Sequence, residues 1–218
     1  MVKGSGWRET PGEGGHPVGR LEAFSDGVFS IAITLLVLEI VLPLHSERDL
    51  IGALLAQWPS YLAYVVSFFT IGWVWIAHGA ITSHIVRVDG IFMRLNLMLL
   101  MAVAFLPFPT RLMADYLGQA SPERVAVAVY GVVLFVIALL MDGLWRYAIR
   151  SSELLKDELT EDDLAIVTKK VTLSLGLFGG SILIGVFLPT VGVLCYLAVS
   201  TFLVVPFRTI WHAIIRRR

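Results

Sequence analysis

Residues Arg20 to Pro43 read RLEAFSDGVFSIAITLLVLEIVLP, an apolar run that carries Asp26 near one end and Glu39 near the other. A helix needs about 20 apolar residues to cross roughly 30 Å of hydrocarbon. Inside lipid every backbone polar group must be satisfied within the protein, and a helix of this length does so along itself. A carboxylate inside a spanning helix costs up to about 2.5–3.5 kcal/mol, the figure for the bilayer centre, which makes Asp26 a functional-site candidate by default.

The remaining sequence repeats the pattern. Of the 218 residues 57% are hydrophobic, and the mean hydropathy is +0.80, whereas soluble domains hold about 45–50% apolar residues. Formal net charge is zero, which gives no electrostatic argument for nucleic acid. Cys195 is the only cysteine. It excludes a disulfide within the chain, and its apolar neighbours predict a buried, unreactive thiol. Residues 1–19 are rich in Gly, Pro and charge and lack the apolar run of a signal peptide; they predict a flexible tail, with the first helix retained.

Six segments have the length and composition of membrane helices: 21–43, 52–77, 91–113, 124–146, 170–188 and 190–208. The expected architecture is an all-α integral membrane protein with a six-helix domain over 20–218. Pro43 ends the first span, Ser121-Pro122 precedes the fourth, and Pro189 alone separates the fifth from the sixth, which predicts a tight hairpin. Gly176, Gly180 and Gly185 on the fifth suggest close helix packing. The charged linker 147–169 lies between, where Ser152, or Thr160 with Asp163, could cap a short amphipathic surface helix. With both termini in the cytoplasm, the outer side keeps only Arg48, Arg111 and Arg124 of the 17 Lys and Arg. The positive-inside rule then fixes that orientation.

This topology brings four polar residues to one level. Asp26 stands one to two turns into the first helix, Trp75 and His78 in the last turns of the second, and Asn96 one to two turns into the third. The expectation is a buried network in which Ser25 and Asp26 share hydrogen bonds with His78, the Trp75 indole and Asn96, tying the first three helices together. Trp75 and His78 taken singly also suit an interfacial belt. Asp142 and Arg146 are four apart and read as a local ion pair. Glu39, at the outer end, either attracts cations or pairs with a neighbour such as Arg48.

Catalysis is not indicated. Ser25 and Asp26 are adjacent, so on a helix their side chains diverge by about 100° and cannot readily serve one His. Neither a nucleophile elbow nor an HExxH pair is present, and the five His show no metal-ligand spacing. Thr190-Val191-Gly192-Val193-Leu194 partly matches the TVGYG filter of potassium channels. It follows Pro189 directly, without a preceding pore helix, and reads as a hairpin turn and helix start.

Beyond Asp26 the first helix places Ile31, Leu35 and Leu38 on one face, with Thr34 close to it. Such a stripe can face lipid or a neighbouring helix. Repeated around an axis, it would form a hydrophobic constriction that gates by dewetting, with Thr34 hydroxyls as a polar layer. Periodicity alone leaves both readings open.

Arg20, Phe24, Ser25 and Asp26 form the RxxxFSD pattern on the first of six helices, and in this the chain resembles the endosomal and lysosomal potassium channel family, transmembrane protein 175. Animal members carry two six-helix repeats; with a single FSD motif this chain is similar to the bacterial forms. The resemblance implies a homotetramer with the first helix of each subunit lining the pore. Ile31, the narrowest point, Leu35 and Leu38 would form its apolar layers. Thr34 would aid potassium selectivity. Arg20, Phe24, Ser25, Asp26, Trp75, His78 and Asn96 would hold the pore helix. The implied function is passive, potassium-preferring cation conduction across a bacterial plasma membrane, with K+ as the permeating ion, no cofactor and no enzymatic activity. A secondary transporter or a non-conducting scaffold is the alternative. Against a transporter, no proline interrupts a span at its centre and no internal repeat is visible.

Overall fold

The computed structural model describes residues 16–41 and 49–205, and over these it is a bundle of helices. Arg48 and Pro43, most of the N-terminal tail and residues 206–218 lie outside the described residues. A two-residue strand, β1 (His16–Pro17), leads into α1 (Val18–Leu35), which tightens into a 3-10 turn over Leu36–Glu39. Then follow α2 (Leu50–Ala56), α3 (Trp58–Thr82), β2 (Arg87–Val88), α4 (Gly90–Phe105) and α5 (Pro107–Tyr116). The chain closes with α6 (Ala120–Arg150), a 3-10 turn (Ser152–Leu154), α7 (Glu161–Phe187) and α8 (Pro189–Val204).

Among the described residues five stretches are long and apolar enough to cross a membrane: Val18–Glu39, Trp58–Thr82, Gly90–Tyr116, Ser121–Arg150 and Glu161–Phe187. The sixth expected span, α8, is apolar but has 16 residues within the described part.

The boundaries follow local chemistry. The carboxylate of Asp49 accepts from Gly52 N–H at 2.9 Å and starts α2. Pro59 then fits the first turn of α3, where its missing N–H costs nothing. The second span therefore begins at Trp58 rather than at 52, and the apolar residues before it form a separate short helix. The carboxylate of Asp89 accepts from Phe92 N–H at 2.8 Å and from the Tyr147 hydroxyl at 2.5 Å. Desolvation pushes the Asp89 carboxyl up, but the bonds from Tyr147 and the backbone outweigh it and hold the group below its ordinary value. Pro107 divides the third span into α4 and α5; with no N–H on Pro107, the Val103 carbonyl accepts instead from Leu106 N–H at 3.0 Å. Gly118, at φ +86°, makes the turn from α5 into α6 in a conformation that suits glycine.

The linker corrects an expectation. Thr160 and Asp163 do form a reciprocal capping box, but it opens α7 itself, nine residues before the expected start of the fifth span at 170. Before it stands the 3-10 turn Ser152–Leu154, without a side-chain cap, in place of a separate surface α-helix. The segment is instead pinned by Val86 N–H donating to the Leu154 carbonyl at 2.9 Å and Lys156 N–H to the His84 carbonyl at 3.1 Å. At the other end of the sequence β1 pairs antiparallel with β2, so residues 16–19 are structured rather than part of a tail.

In the bundle α1 lies against α3 and α4, while α6 contacts α4, α5 and α7, and α8 packs between α3 and α7. Trp145, Tyr130, Tyr196, Phe92 and Phe178 are fully buried. Hydroxyls thread this apolar core: Ser67 bonds Thr110 at 2.7 Å and Tyr130 at 2.9 Å, and Thr70 bonds Ser200 at 2.8 Å. Gly176 and Gly180 face open space, and only Gly185 of the three glycines expected at a close contact makes one, against Gly192 of α8. Cys195 is half-buried rather than fully buried.

Candidate functional site: the first helix and its anchor

The two faces of α1 differ sharply. Leu21, Ser25, Phe29, Ala32 and Leu36 are buried at spacings of three and four, the inner face of a helix docked on α3 and α4. The other face is open: Phe24, Ile31, Leu35 and Leu38 are 56%, 61%, 41% and 66% exposed. Thr34 is also exposed, and its hydroxyl donates to the carbonyls of Ser30 and Ile31, each at 2.9 Å. With its proton turned into its own helix, Thr34 presents only oxygen lone pairs outward. From Gly27 to Leu38 this helix carries no charged residue.

The anchor at the opposite end has two branches. Asn96, buried on α4, donates its amide N–H to Ser25 Oγ at 3.0 Å and shares a 2.8 Å hydrogen bond between its Oδ1 and His78 Nε2. With the Asn96 oxygen as acceptor, Nε2 carries the proton. Phe29 meets the His78 ring edge-on, with centroids 5.4 Å apart. Separately, the Trp75 indole N–H donates to Asp26 Oδ1 at 2.9 Å in an exposed position. The expected single network is thus divided, because the roughly 100° between Ser25 and Asp26 sends one inward and the other along the helix flank. A pocket of about 420 Å³ opens beside them, lined by Glu22, Asp26, Trp75, His78 and Thr82 among others.

Two residues of the expected anchor stand outside it. Arg20 is exposed and makes no ion pair among the described residues, and Phe24 turns away from the bundle. Both line a second groove of about 360 Å³ with Leu21, Met93 and Leu97. Their place one helical turn apart gives this shared side, and the RxxxFSD spacing contains it. At the other end of α1, Glu39 lies 3.6 Å from Arg111, which also approaches Asp115 at 3.5 Å. The partner of Glu39 therefore comes from α5, and Arg48 lies outside the described residues. Asp142 and Arg146 pair at 2.5 Å as expected, and Asp142 also accepts from Thr172 of α7 at 3.0 Å. Sequence reasoning missed three positions: Ser30, exposed one turn before Thr34; Glu22, at the pocket; and Arg111. The i, i+4 spacing of Ser30 and Thr34 was the available signal for the first.

Among the described residues no group of His, Cys, Asp and Glu could hold a metal ion. The sequence model of the family described as "Endosomal/lysosomal potassium channel TMEM175" matches residues 20–107, from the anchor of α1 to the α4–α5 break. A potassium channel of Streptomyces collinus is 44% identical over 168 residues, covering 77% of this chain and 81% of its own length. The chain belongs to the TMEM175 family. A crystal structure of the lysosomal potassium-selective channel TMEM175 homologue from Chamaesiphon minutus superposes with a TM-score of 0.78 at 38% identity. That match covers 85% of this chain and 95% of the other. The endosomal/lysosomal proton channel TMEM175 of Danio rerio is 33% identical over 139 residues, which are 60% of this chain and 27% of that much longer TMEM175 protein.

Proposed function

We propose that this TMEM175 protein is a passive, potassium-preferring cation channel of a bacterial plasma membrane. Six helices cross the bilayer with both termini in the cytoplasm, and four copies surround a pore lined by α1. The observation that carries this reading is the uncharged, exposed face of α1, which runs along a helix whose opposite face is locked into the bundle. Ile31, Leu35 and Leu38 form the apolar constriction, which impedes ions by excluding water. Thr34, with lone pairs outward, replaces part of the hydration shell of K+ and favours it over the more tightly hydrated Na+. Ser25, Asn96 and His78 hold the helix from inside and Asp26 and Trp75 from the flank, while Arg20 and Phe24 stand beside the anchor on their shared groove. Potassium-channel relatives that this chain covers over most of their length support the ion assignment.

Recordings of purified protein in planar bilayers test the proposal. Unitary currents far above transporter turnover are expected. Ile31→Asn should raise conductance several-fold by wetting the constriction. Unchanged potassium flux in both Ile31→Asn and Leu35→Asn would remove α1 from the pore.

A further inference from the structure

A groove between α6 and α7 has the features of a phospholipid site. It is lined by Val125, Ala128, Val129, Val132 and Val133 of α6 and Val186 of α7, with Arg124 at its end, and has a volume of about 520 Å³. We propose that a membrane phospholipid binds here, with its phosphate on the Arg124 guanidinium and one acyl chain along the valines. The site lies in the leaflet at the end of the bundle away from Asp26, because α6 starts where α1 ends.

Three observations support this occupant. Arg124 is exposed and has no ion pair or hydrogen bond among the described residues, so its donors are free for an anionic group. Guanidinium is well matched to phosphate, whose oxygens can accept two parallel N–H bonds. The neighbouring carboxylate does not compete: Glu123 is buried and accepts from the Thr190 hydroxyl at 3.0 Å. The dimensions also agree. From Arg124 to Val133 is nine residues, about 14 Å at 1.5 Å per residue, or close to half of a 30 Å hydrocarbon core. A single acyl chain descending from a headgroup covers that depth, and small β-branched side chains leave a smooth trough for it. The groove lies on α6 and α7, whereas α1 packs on α3 and α4, so occupancy does not require the pore.

Native mass spectrometry of the purified protein, titrated with dioleoylphosphatidylglycerol or with phosphate-free dioleoylglycerol, tests the site. The wild-type protein should bind one phosphatidylglycerol per protomer more tightly than dioleoylglycerol. Arg124→Gln should weaken the phospholipid by about tenfold, the loss of a charged hydrogen-bonding partner, and leave dioleoylglycerol unaffected. Arg124→Lys should restore part of the difference. Val129→Trp, which fills the trough, should weaken both lipids. Monodisperse elution of each variant checks folding. Titrations unchanged by both Arg124→Gln and Val129→Trp would overturn the proposal. So would disulfide-linked dimers formed by Val125→Cys in a Cys195→Ser background, since a second copy of the chain would then cover the groove.

Discussion

Asn96 is the residue on which the anchor depends. It has one amide, and both halves are used, the N–H on Ser25 and the oxygen on His78. Replacing it with the near-isosteric Leu leaves two buried polar groups without partners, at about 1–3 kcal/mol each. Asn96→Leu should therefore lower the thermal unfolding temperature in detergent markedly, and a temperature within a degree of wild type would refute that role. Asp26 is different, because its bond to Trp75 is exposed. Asp26→Asn keeps an oxygen acceptor for the indole N–H, so it should assemble like wild type, while Asp26→Ala should reduce the yield of assembled protein. Equal yields with altered selectivity in both variants would instead make the charge itself important. The residue types in this cluster were legible from sequence, since polar groups at one depth of a membrane helix require partners. Their pairing was not, because it depends on which flank of α1 meets α3 and which meets α4. At the inner end, Asp89 has a testable sign. Its depressed folded-state value means that its stabilising contribution is present above the ordinary carboxyl value of 3.8 and is lost as pH falls through the lower folded value. Asp89→Asn should accordingly flatten the loss of thermal stability on acidification below pH 4.

Among the elements, α1 makes the clearest separation of structure from function. Leu36 is fully buried and Ile31 is open, although both are apolar and five residues apart. Asn at Leu36 would bury an amide without a partner, costing about 1–3 kcal/mol, whereas Asn at Ile31 costs little stability. Leu36→Asn should thus reduce expression while Ile31→Asn raises flux; the reverse pattern would mean that the faces of α1 are exchanged in the assembled channel. Thr34→Val keeps the shape of its side chain and removes the outward oxygen, so the K+ to Na+ permeability ratio from bi-ionic reversal potentials should fall. An unaltered ratio would take Thr34 out of selectivity. The core of each long helix was legible from hydropathy, but their ends were less so. The run Leu50–Ala56 is as apolar as a span, so composition alone joins it to α3, and only the Asp49 cap and Pro59 reveal the break. The α4–α5 division at Leu106 falls where Pro107 has no N–H, about two-thirds of the way along the span. The backbone group it frees, the Val103 carbonyl, is satisfied by Leu106 N–H, so this is a sealed break rather than an open binding site of the kind found in transporters.

At the scale of the whole molecule, packing of the peripheral helices depends on a backbone approach rather than on large side chains. A Cβ at Gly192 would meet Gly185 backbone atoms inside any normal contact distance. Gly192→Val should force α7 and α8 apart and shift the protein toward aggregates in size-exclusion chromatography, whereas Gly180→Ala, in open space, should not. The glycine pattern Gly176, Gly180 and Gly185 was legible as a small-residue stripe, but its partner came from the start of the next helix, which only the α7–α8 hairpin brings into place. A different consequence follows from helix length. At 31 and 27 residues, α6 and α7 measure about 46 and 40 Å, well beyond a 30 Å core. Their overhanging ends are bolted together by Trp145 on Thr168 and Asp142 on Thr172, and the turn beyond them is tied to His84 and Val86. The pair forms a stiff mast longer than the hydrocarbon core is thick, and a fluorophore at exposed Lys169 of α7, beside the Trp145–Thr168 bond, would ride on it, reporting rotation of the bundle rather than the wobble of a loop.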